Sequence, residues 1–123
     1  MTIGSLLAVA SGGALGALAR FGAGRAVALW GADAYWSTVL VNVAGSFGLG
    51  AAAVWLSGRP GAWPLFVMVG FFGAFTTFST FALDATGLLR DRGLVMAGAY
   101  VAGSVGLATA GFVAGGALAG GRA

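Results

Sequence analysis

The sequence has 123 residues, and 7% of them are charged, whereas a soluble domain of this size carries about 25% charged residues. Its six arginines and three aspartates give a net charge of +3, which is too sparse for a nucleic-acid-binding patch. The lack of cysteine excludes disulfides and thiolate metal sites, and the lack of histidine removes the commonest general base. With 59% hydrophobic residues, the composition predicts an integral membrane protein, and it leaves little material for an enzyme.

Four long runs with few or no charges follow one another along the chain. The first extends from Met1 to about Trp30, and the others are Trp36–Ser57, Pro60–Leu83 and Gly93–Gly121. A helix needs about 20 apolar residues to cross a bilayer, so each run is long enough. Tryptophans at several run ends match the aromatic belt of a membrane boundary. We predict an all-α protein of the cell membrane, with one multi-pass domain of four transmembrane helices over residues 1–123.

The arginines of the joints are divided almost evenly between the two ends of this bundle. Arg59 and Arg122 lie at the end that carries both termini, and Arg90 and Arg92 lie at the opposite end. The Lys/Arg bias of the joints normally sets the orientation of a membrane protein. The near tie leaves two interpretations open. Either other signals break it, or the chain inserts in both orientations.

Glycine supplies 24 residues, many at spacings that bring helices together. Small residues let backbones approach closely in lipid, where burial of apolar surface no longer drives association. We therefore expect these residues to form packing surfaces, and we expect a homo-oligomer. The clearest cases are Gly12 with Gly16 and a stripe along the fourth run, which consists of Gly98, Ala102, Gly106, Ala110 and Ala114.

Several polar side chains lie inside the apolar runs, where they are costly and tend to face a bundle interior or a water-filled path. Asn42 and Ser46 are four residues apart and share one helix face, as do Tyr100 and Ser104. Most of these groups are neutral donors, and Arg20 adds a guanidinium near one end. Such a lane suits an anion, and it equally suits ordinary hydrogen bonding between helices.

The third run contains the stretch GFFGAFTTFSTFALD, Gly70–Asp84. Phe78 and Phe81 are three residues apart, so their rings lie near each other on one helix face. A phenyl ring has a positive edge, which can attract an anion without holding it too tightly for conduction. Glycine and β-branched residues from Gly73 to Thr76 permit a break in mid-helix, and the freed carbonyls need a partner such as a cation.

Three segments together resemble the Fluc (CrcB) fluoride channels. They are GALGALARFG at Gly13–Gly22, TVLVNVAGSFGLG at Thr38–Gly50, and the stretch from Gly70 to Asp84 with its specific TTFSTF core. The resemblance covers essentially the whole chain. It implies a dual-topology homodimer of two antiparallel subunits, which exports cytoplasmic fluoride passively and so reduces fluoride toxicity.

The resemblance also implies a role for each matching pore residue. Phe78 and Phe81 line two symmetric pores, and Asn42 donates its amide to the fluoride ion. Arg20 lies in the aqueous vestibule and attracts anions. The further polar contacts of the pore come from Ser79, Thr80, Tyr100 and Ser104.

A structural sodium ion is the cofactor that the resemblance implies. The backbone carbonyls of Gly73 and Thr76 from both subunits hold it at the dimer axis. Two positions depart from the family pattern: Asp84 replaces a glutamate, and Ala108 stands where a further hydroxyl often continues the track past Ser104. We expect Thr109, the neighbouring hydroxyl, to lie on a different face.

Two other functions are compatible with four short spans. A small multidrug-type exporter needs a titratable carboxylate in its first helix, and the first run has arginines but no acid. A non-transporting scaffold would use the polar groups only to join helices. Fluoride efflux, with chloride as the comparison, distinguishes these alternatives from a channel.

Overall fold

The computed structural model describes residues 2–120 as helices joined by short turns. Helix α1 spans Ile3–Leu29 and α2 spans Tyr35–Trp55. The third span consists of a π-helix, π1, at Leu65–Phe72, a short helix α3 at Gly73–Phe75 and helix α4 at Phe78–Arg92. Helix α5 covers Leu94–Gly120. Four spans in this part of the chain are long and apolar enough to cross a membrane, which confirms the predicted all-α architecture.

The third span extends further towards the fourth than the sequence pattern predicted. The predicted run ended at Leu83, but α4 continues to Arg92, and Gly93 alone joins it to α5. Gly93 adopts a φ of 87°, a conformation that favours glycine. The last turn of α4 carries Arg90 and Arg92, whose charges are favourable at the carboxyl end of a helix dipole. The polar residues after Leu83 therefore belong to the helix and not to a loop.

The third span is interrupted near its middle, as predicted. Thr76 and Thr77 leave the helical conformation, with ψ angles of 162° and 125°. Helix α4 then restarts at Phe78, and the Thr77 hydroxyl caps it by accepting a hydrogen bond from the Thr80 amide at 3.2 Å. A break inside a membrane is tolerated only where the freed backbone groups find partners.

Glycines set how closely the helices pack. Helix α1 packs on π1 and α3, while α5 packs on both α2 and α4. A Cβ atom added to Gly16 would lie 2.2 Å from the Phe71 carbonyl oxygen, and one added to Gly12 would lie 2.2 Å from that of Phe66. These positions exclude any side chain, which confirms that Gly12 and Gly16 are packing surface.

The small-residue stripe predicted on α5 does not pack within one chain, so its predicted packing role between chains stays a prediction. All five of its residues are exposed, and nothing lies within 4 Å of a Cβ built on Gly98 or Gly106. The face that packs on α2 instead contains Gly111 and Gly115, and a Cβ on Gly115 would lie 2.0 Å from the Phe47 carbonyl oxygen. The choice of face depends on the partner helix, which residue spacing along α5 alone does not specify.

The joints fall at two ends, in the predicted arrangement. Arg92 donates to Asp33 at 3.1 Å, which ties the joint between α1 and α2 to the one between α4 and α5. Arg90 pairs with Asp91 at the same end, at 2.9 Å. Arg59 lies in the joint between α2 and π1. Arg122, assigned to the same end as Arg59, lies outside the described residues.

Candidate functional site

A cavity of about 300 Å³ lies beside the break in the third span. Side chains of α2, the break, α4 and α5 border it, and none of them is titratable. Because the border combines amide, hydroxyl and aromatic groups, it can solvate an ion without itself carrying a charge. The bordering residues are Asn42, Ser46, Leu49, Thr76, Thr77, Phe78, Phe81, Ser104, Val105, Ala108 and Thr109.

Asn42 connects α2 to the break through two hydrogen bonds. Its Nδ2 donates to the Thr77 carbonyl oxygen at 2.9 Å, and its Oδ1 accepts from the Thr77 amide at 2.8 Å. The side chain thus satisfies both backbone groups of one extended residue, as a neighbouring strand would. One N–H of the Asn42 amide is not used in this contact, because an amide nitrogen carries two.

Two phenyl rings lie together at the start of α4. The ring centroids of Phe78 and Phe81 are 5.5 Å apart, at an interplanar angle of 33°. Phe81 also stacks on Tyr100 at 5.4 Å, whereas Phe78 is 79% exposed. The predicted proximity of the two rings is confirmed. Within one chain, however, only Phe81 is packed against the bundle.

On α5 the cavity is bordered by Ser104, Ala108 and Thr109. Ser104 is 6% exposed, and its hydroxyl has no hydrogen-bond partner among the described residues. Thr109 follows Ala108 in α5 and so lies on a different face, about 100° away, yet it borders the same cavity and supplies a hydroxyl there.

Ser79 and Thr80, both predicted to supply polar contacts of the pore, do not border this cavity and are exposed. Their hydroxyls lie near that of Thr77, at 3.4 Å for Ser79 and 3.1 Å for Thr80. Within one chain they therefore belong to the cap of α4.

A second polar cluster, which sequence reasoning missed, lies further along α4. Asp84 accepts hydrogen bonds from the Thr38 hydroxyl at 2.6 Å and from the Tyr100 hydroxyl at 3.2 Å. Tyr100 therefore contacts Asp84 and Phe81, and it does not border the cavity. A signal for this cluster was present in the sequence, because Thr38, Asn42 and Ser46 recur every four residues on one face of α2.

Comparison with known proteins shows the family of this sequence. The family model described as "CrcB-like protein, Camphor Resistance (CrcB)" matches residues 7–116. The chain belongs to the CrcB family. It is a multi-pass membrane protein, as the four apolar spans indicated, and the predicted resemblance to this family is confirmed.

Relatives of similar length carry a common name. A protein of Rhodospirillum centenum is 47% identical over 106 residues, which cover 80% of this chain and 82% of the relative. A protein of Cereibacter sphaeroides is 45% identical over 107 residues, which cover 86% of both chains. A protein of Hahella chejuensis is 43% identical over 114 residues, covering 85% and 86%. Each is named "Fluoride-specific ion channel FluC".

The family resemblance assigns a sodium ion to the backbone carbonyls of Gly73 and Thr76, which come just before Thr77 in the chain. An uninterrupted α-helix would pair the Gly73 carbonyl with the Thr77 amide, but that amide bonds to Asn42. The Gly73 carbonyl is thus freed from its regular partner, and carbonyl oxygens suit a hard cation. The described residues contain no cluster of acidic side chains that could hold a metal instead.

Arg20 lies close to the same segment. Its Nη1 donates to the Thr76 carbonyl oxygen at 3.2 Å, and the side chain is half-buried. That oxygen has a second lone pair for a cation, although the guanidinium charge opposes one at this distance. The Gly73 carbonyl oxygen therefore suits sodium. The Thr76 carbonyl oxygen could bind it only while also accepting a hydrogen bond from Arg20. Arg20 does not border the cavity, so its predicted vestibule role stays a prediction.

Proposed function

We propose that this protein is a fluoride-specific ion channel of the cell membrane, which lets cytoplasmic fluoride leave passively and so reduces its toxicity. The observation that carries the proposal is the cavity beside the broken helix. It combines an amide, several hydroxyls and two phenyl rings, and no titratable residue borders it. The names of the relatives point to the same ion, and to transport in place of enzymatic catalysis.

The chemistry of the cavity suits a small, strongly hydrated anion. Fluoride must exchange water molecules for other hydrogen-bond donors, and the free Asn42 N–H and the Ser104 hydroxyl are such donors. The positive edges of Phe78 and Phe81 add weak attraction. Because no fixed positive charge borders the cavity, the ion is not trapped and can move on.

The two alternatives fit the geometry less well. Proton-coupled export of a cation needs a titratable carboxylate at the substrate site. Helix α1 contains none, and Asp84 already accepts two hydrogen bonds outside the cavity. A scaffold would use its polar groups only in mutual contacts, whereas Asn42, Ser46 and Thr109 also border an open cavity.

The proposed assembly is a homodimer of antiparallel subunits with two pores. A single chain leaves Phe78 and the small-residue stripe of α5 exposed, and both would be covered by a second copy. The near-even division of the arginines supports insertion in both orientations. The proposed sodium ion would lie between the two copies, since one chain offers too few carbonyl oxygens to surround it.

Fluoride efflux from proteoliposomes, followed with a fluoride electrode, tests the proposal. We expect rapid fluoride efflux, little chloride efflux, and a large loss of flux in Phe81→Ile. Phe21→Ile, a change at an exposed ring on α1, is the matched control and should leave efflux unchanged. Equal efflux of both halides, or none of either, would overturn the proposed function.

The sodium and dimer proposals have separate tests. Replacing sodium with N-methylglucamine throughout purification and assay should abolish efflux, and undiminished efflux would contradict the sodium site alone. Crosslinking of the protein in vesicles should trap antiparallel pairs. In an antiparallel pair, equivalent termini lie on opposite sides of the membrane. Pairs crosslinked through equivalent termini on the same side would contradict this arrangement and leave the fluoride proposal intact.

A further inference from the structure

A second cavity, of about 270 Å³, lies in the joint between α2 and π1 and shares no bordering residue with the polar site. Trp55, Leu56, Arg59, Pro60 and Trp63 border it. Glycines with positive φ, 70° at residue 58 and 99° at residue 61, turn the backbone around the arginine. Nothing in the proposed conduction of fluoride uses this joint.

The Arg59 guanidinium is held in place by its neighbour on α2. Its Nε donates to the Trp55 carbonyl oxygen at 2.9 Å, which satisfies an end carbonyl of the helix. Its central carbon lies 4.7 Å from the Trp55 ring centroid, within the range of a cation–π contact. With one of five donors used, the N–H groups of both terminal nitrogens remain to be satisfied.

No carboxylate of the described residues neutralises this charge. Asp33 and Asp91 pair with arginines at the opposite end of the bundle, and Asp84 accepts from two hydroxyls. The joint itself contains no acidic residue. Arg59 is therefore an oriented cation whose counterion must come from outside these residues.

The position of the joint indicates which anion is available. It connects two spans at the membrane boundary, where tryptophan rings lie at the level of lipid headgroups. Trp55 and Trp63 are 62% and 65% exposed. We propose that this joint binds the phosphate of an anionic phospholipid, with the Arg59 guanidinium on the phosphate oxygens and the two indole rings against the apolar part of the lipid.

A phosphodiester matches each feature of the cavity. Two terminal nitrogens of one guanidinium can pair with two phosphate oxygens, which a chloride ion cannot reproduce. The indole rings offer apolar surface that an inorganic phosphate would leave unused. A lipid supplies both groups in one molecule, so we assign the site to a lipid and not to the free anion.

Quenching by brominated lipids measures this binding directly. The Trp30→Phe/Trp36→Phe background removes the tryptophans at the other end of α1 and α2, so that Trp55 and Trp63 carry most of the signal. The protein is placed in bilayers of brominated phosphatidylcholine that contain increasing phosphatidylglycerol without bromine. We expect phosphatidylglycerol to bind about fivefold better than phosphatidylcholine, as about 1 kcal/mol per cationic side chain at a membrane surface implies.

Two substitutions in this background assign the effect. Arg59→Gln should bring the ratio of phosphatidylglycerol to phosphatidylcholine binding close to one. Arg90→Gln, a change at the opposite end, should leave this ratio at its parent value. Should the glutamine variant fail to fold, Arg59→Lys retains the charge but not the two-pronged geometry. Its preference should fall below that of the parent protein. A full preference in either Arg59 variant, or none in the parent, would overturn the proposal.

An inorganic phosphate arm distinguishes the two sources of a phosphate group. Added phosphate and chloride of equal ionic strength should lower the preference for phosphatidylglycerol by the same amount, since both anions only screen the charge of Arg59. Loss of the preference with phosphate but not with chloride would assign the site to the free anion and contradict the lipid proposal.

Discussion

Replacement of Asn42 by leucine tests whether this side chain holds the break in the third span. Leucine has a similar shape but cannot donate or accept, so both hydrogen bonds to Thr77, at 2.9 and 2.8 Å, are lost. The Thr77 amide and carbonyl then lie in a region from which water is largely excluded. Thr77 itself is buried.

The loss in unfolding free energy can be estimated from the number of hydrogen bonds that Asn42 makes. Hydrogen bonds between membrane helices contribute roughly 0.6–2 kcal/mol each, so the two together contribute about 1–4 kcal/mol. We expect the upper part of this range, because Asn42→Leu leaves two backbone groups without partners. Fluoride efflux should fall as well, since both the geometry of the break and the free N–H beside the cavity are lost.

Unfolding in mixed micelles with increasing dodecyl sulfate measures the first effect, and liposome efflux measures the second. Ser46→Ala is the matched control for stability. It lies one turn further on the same face of α2 and should change the free energy of unfolding by less than about 0.5 kcal/mol. If Asn42→Leu were as stable as the parent protein, the break would not depend on this contact and the reasoning would be refuted.

Three further predictions concern packing, the unpaired serine and the ion pair between joints. Gly16→Ala places a methyl group against a backbone oxygen of π1 and should cost about 1–3 kcal/mol in unfolding experiments, whereas Gly22→Ala, which meets nothing within 4 Å, should not destabilise the fold. Ser104→Ala should leave the unfolding free energy unchanged or raise it by up to about 1 kcal/mol, because its buried hydroxyl has no partner. Ser104→Ala should nevertheless slow fluoride efflux, and efflux as fast as in the parent protein would show that Ser104 does not line the pore. Asp33→Asn should cost less than about 1 kcal/mol, with the difference vanishing at high salt, since its pair with Arg92 is half-exposed; a larger loss would mean that the pair holds the two joints together.

The spans and the break were predictable because the bilayer imposes them. A fixed membrane thickness selects runs of apolar residues, and backbone groups in lipid must be paired, so the glycine and threonines from Gly73 to Thr77 stood out. The common face of Asn42 and Ser46 followed from their spacing. Thr38 could have been added by the same argument.

What the sequence could not specify depends on how helices meet. No residue spacing in α2 indicates that Asn42 reaches the backbone of Thr77 rather than an ion. The burial of one face of α5 and the exposure of its small-residue stripe follow from contacts with α2. The π-helical winding of π1 likewise has no local signal. It accompanies a close contact, in which a Cβ on Gly70 would lie 2.8 Å from the Val9 carbonyl oxygen.

The winding of π1 indicates where this chain can lose a residue without a change in the rest of the fold. Each of its turns closes over five residues where an α-helix closes over four. Deleting one residue between Leu65 and Phe72 could be absorbed by tightening a turn, with α4 kept in register. The same deletion in α1 would rotate everything beyond it by about 100°. Length variation that preserves transport should therefore be tolerated in π1 and eliminated from α1.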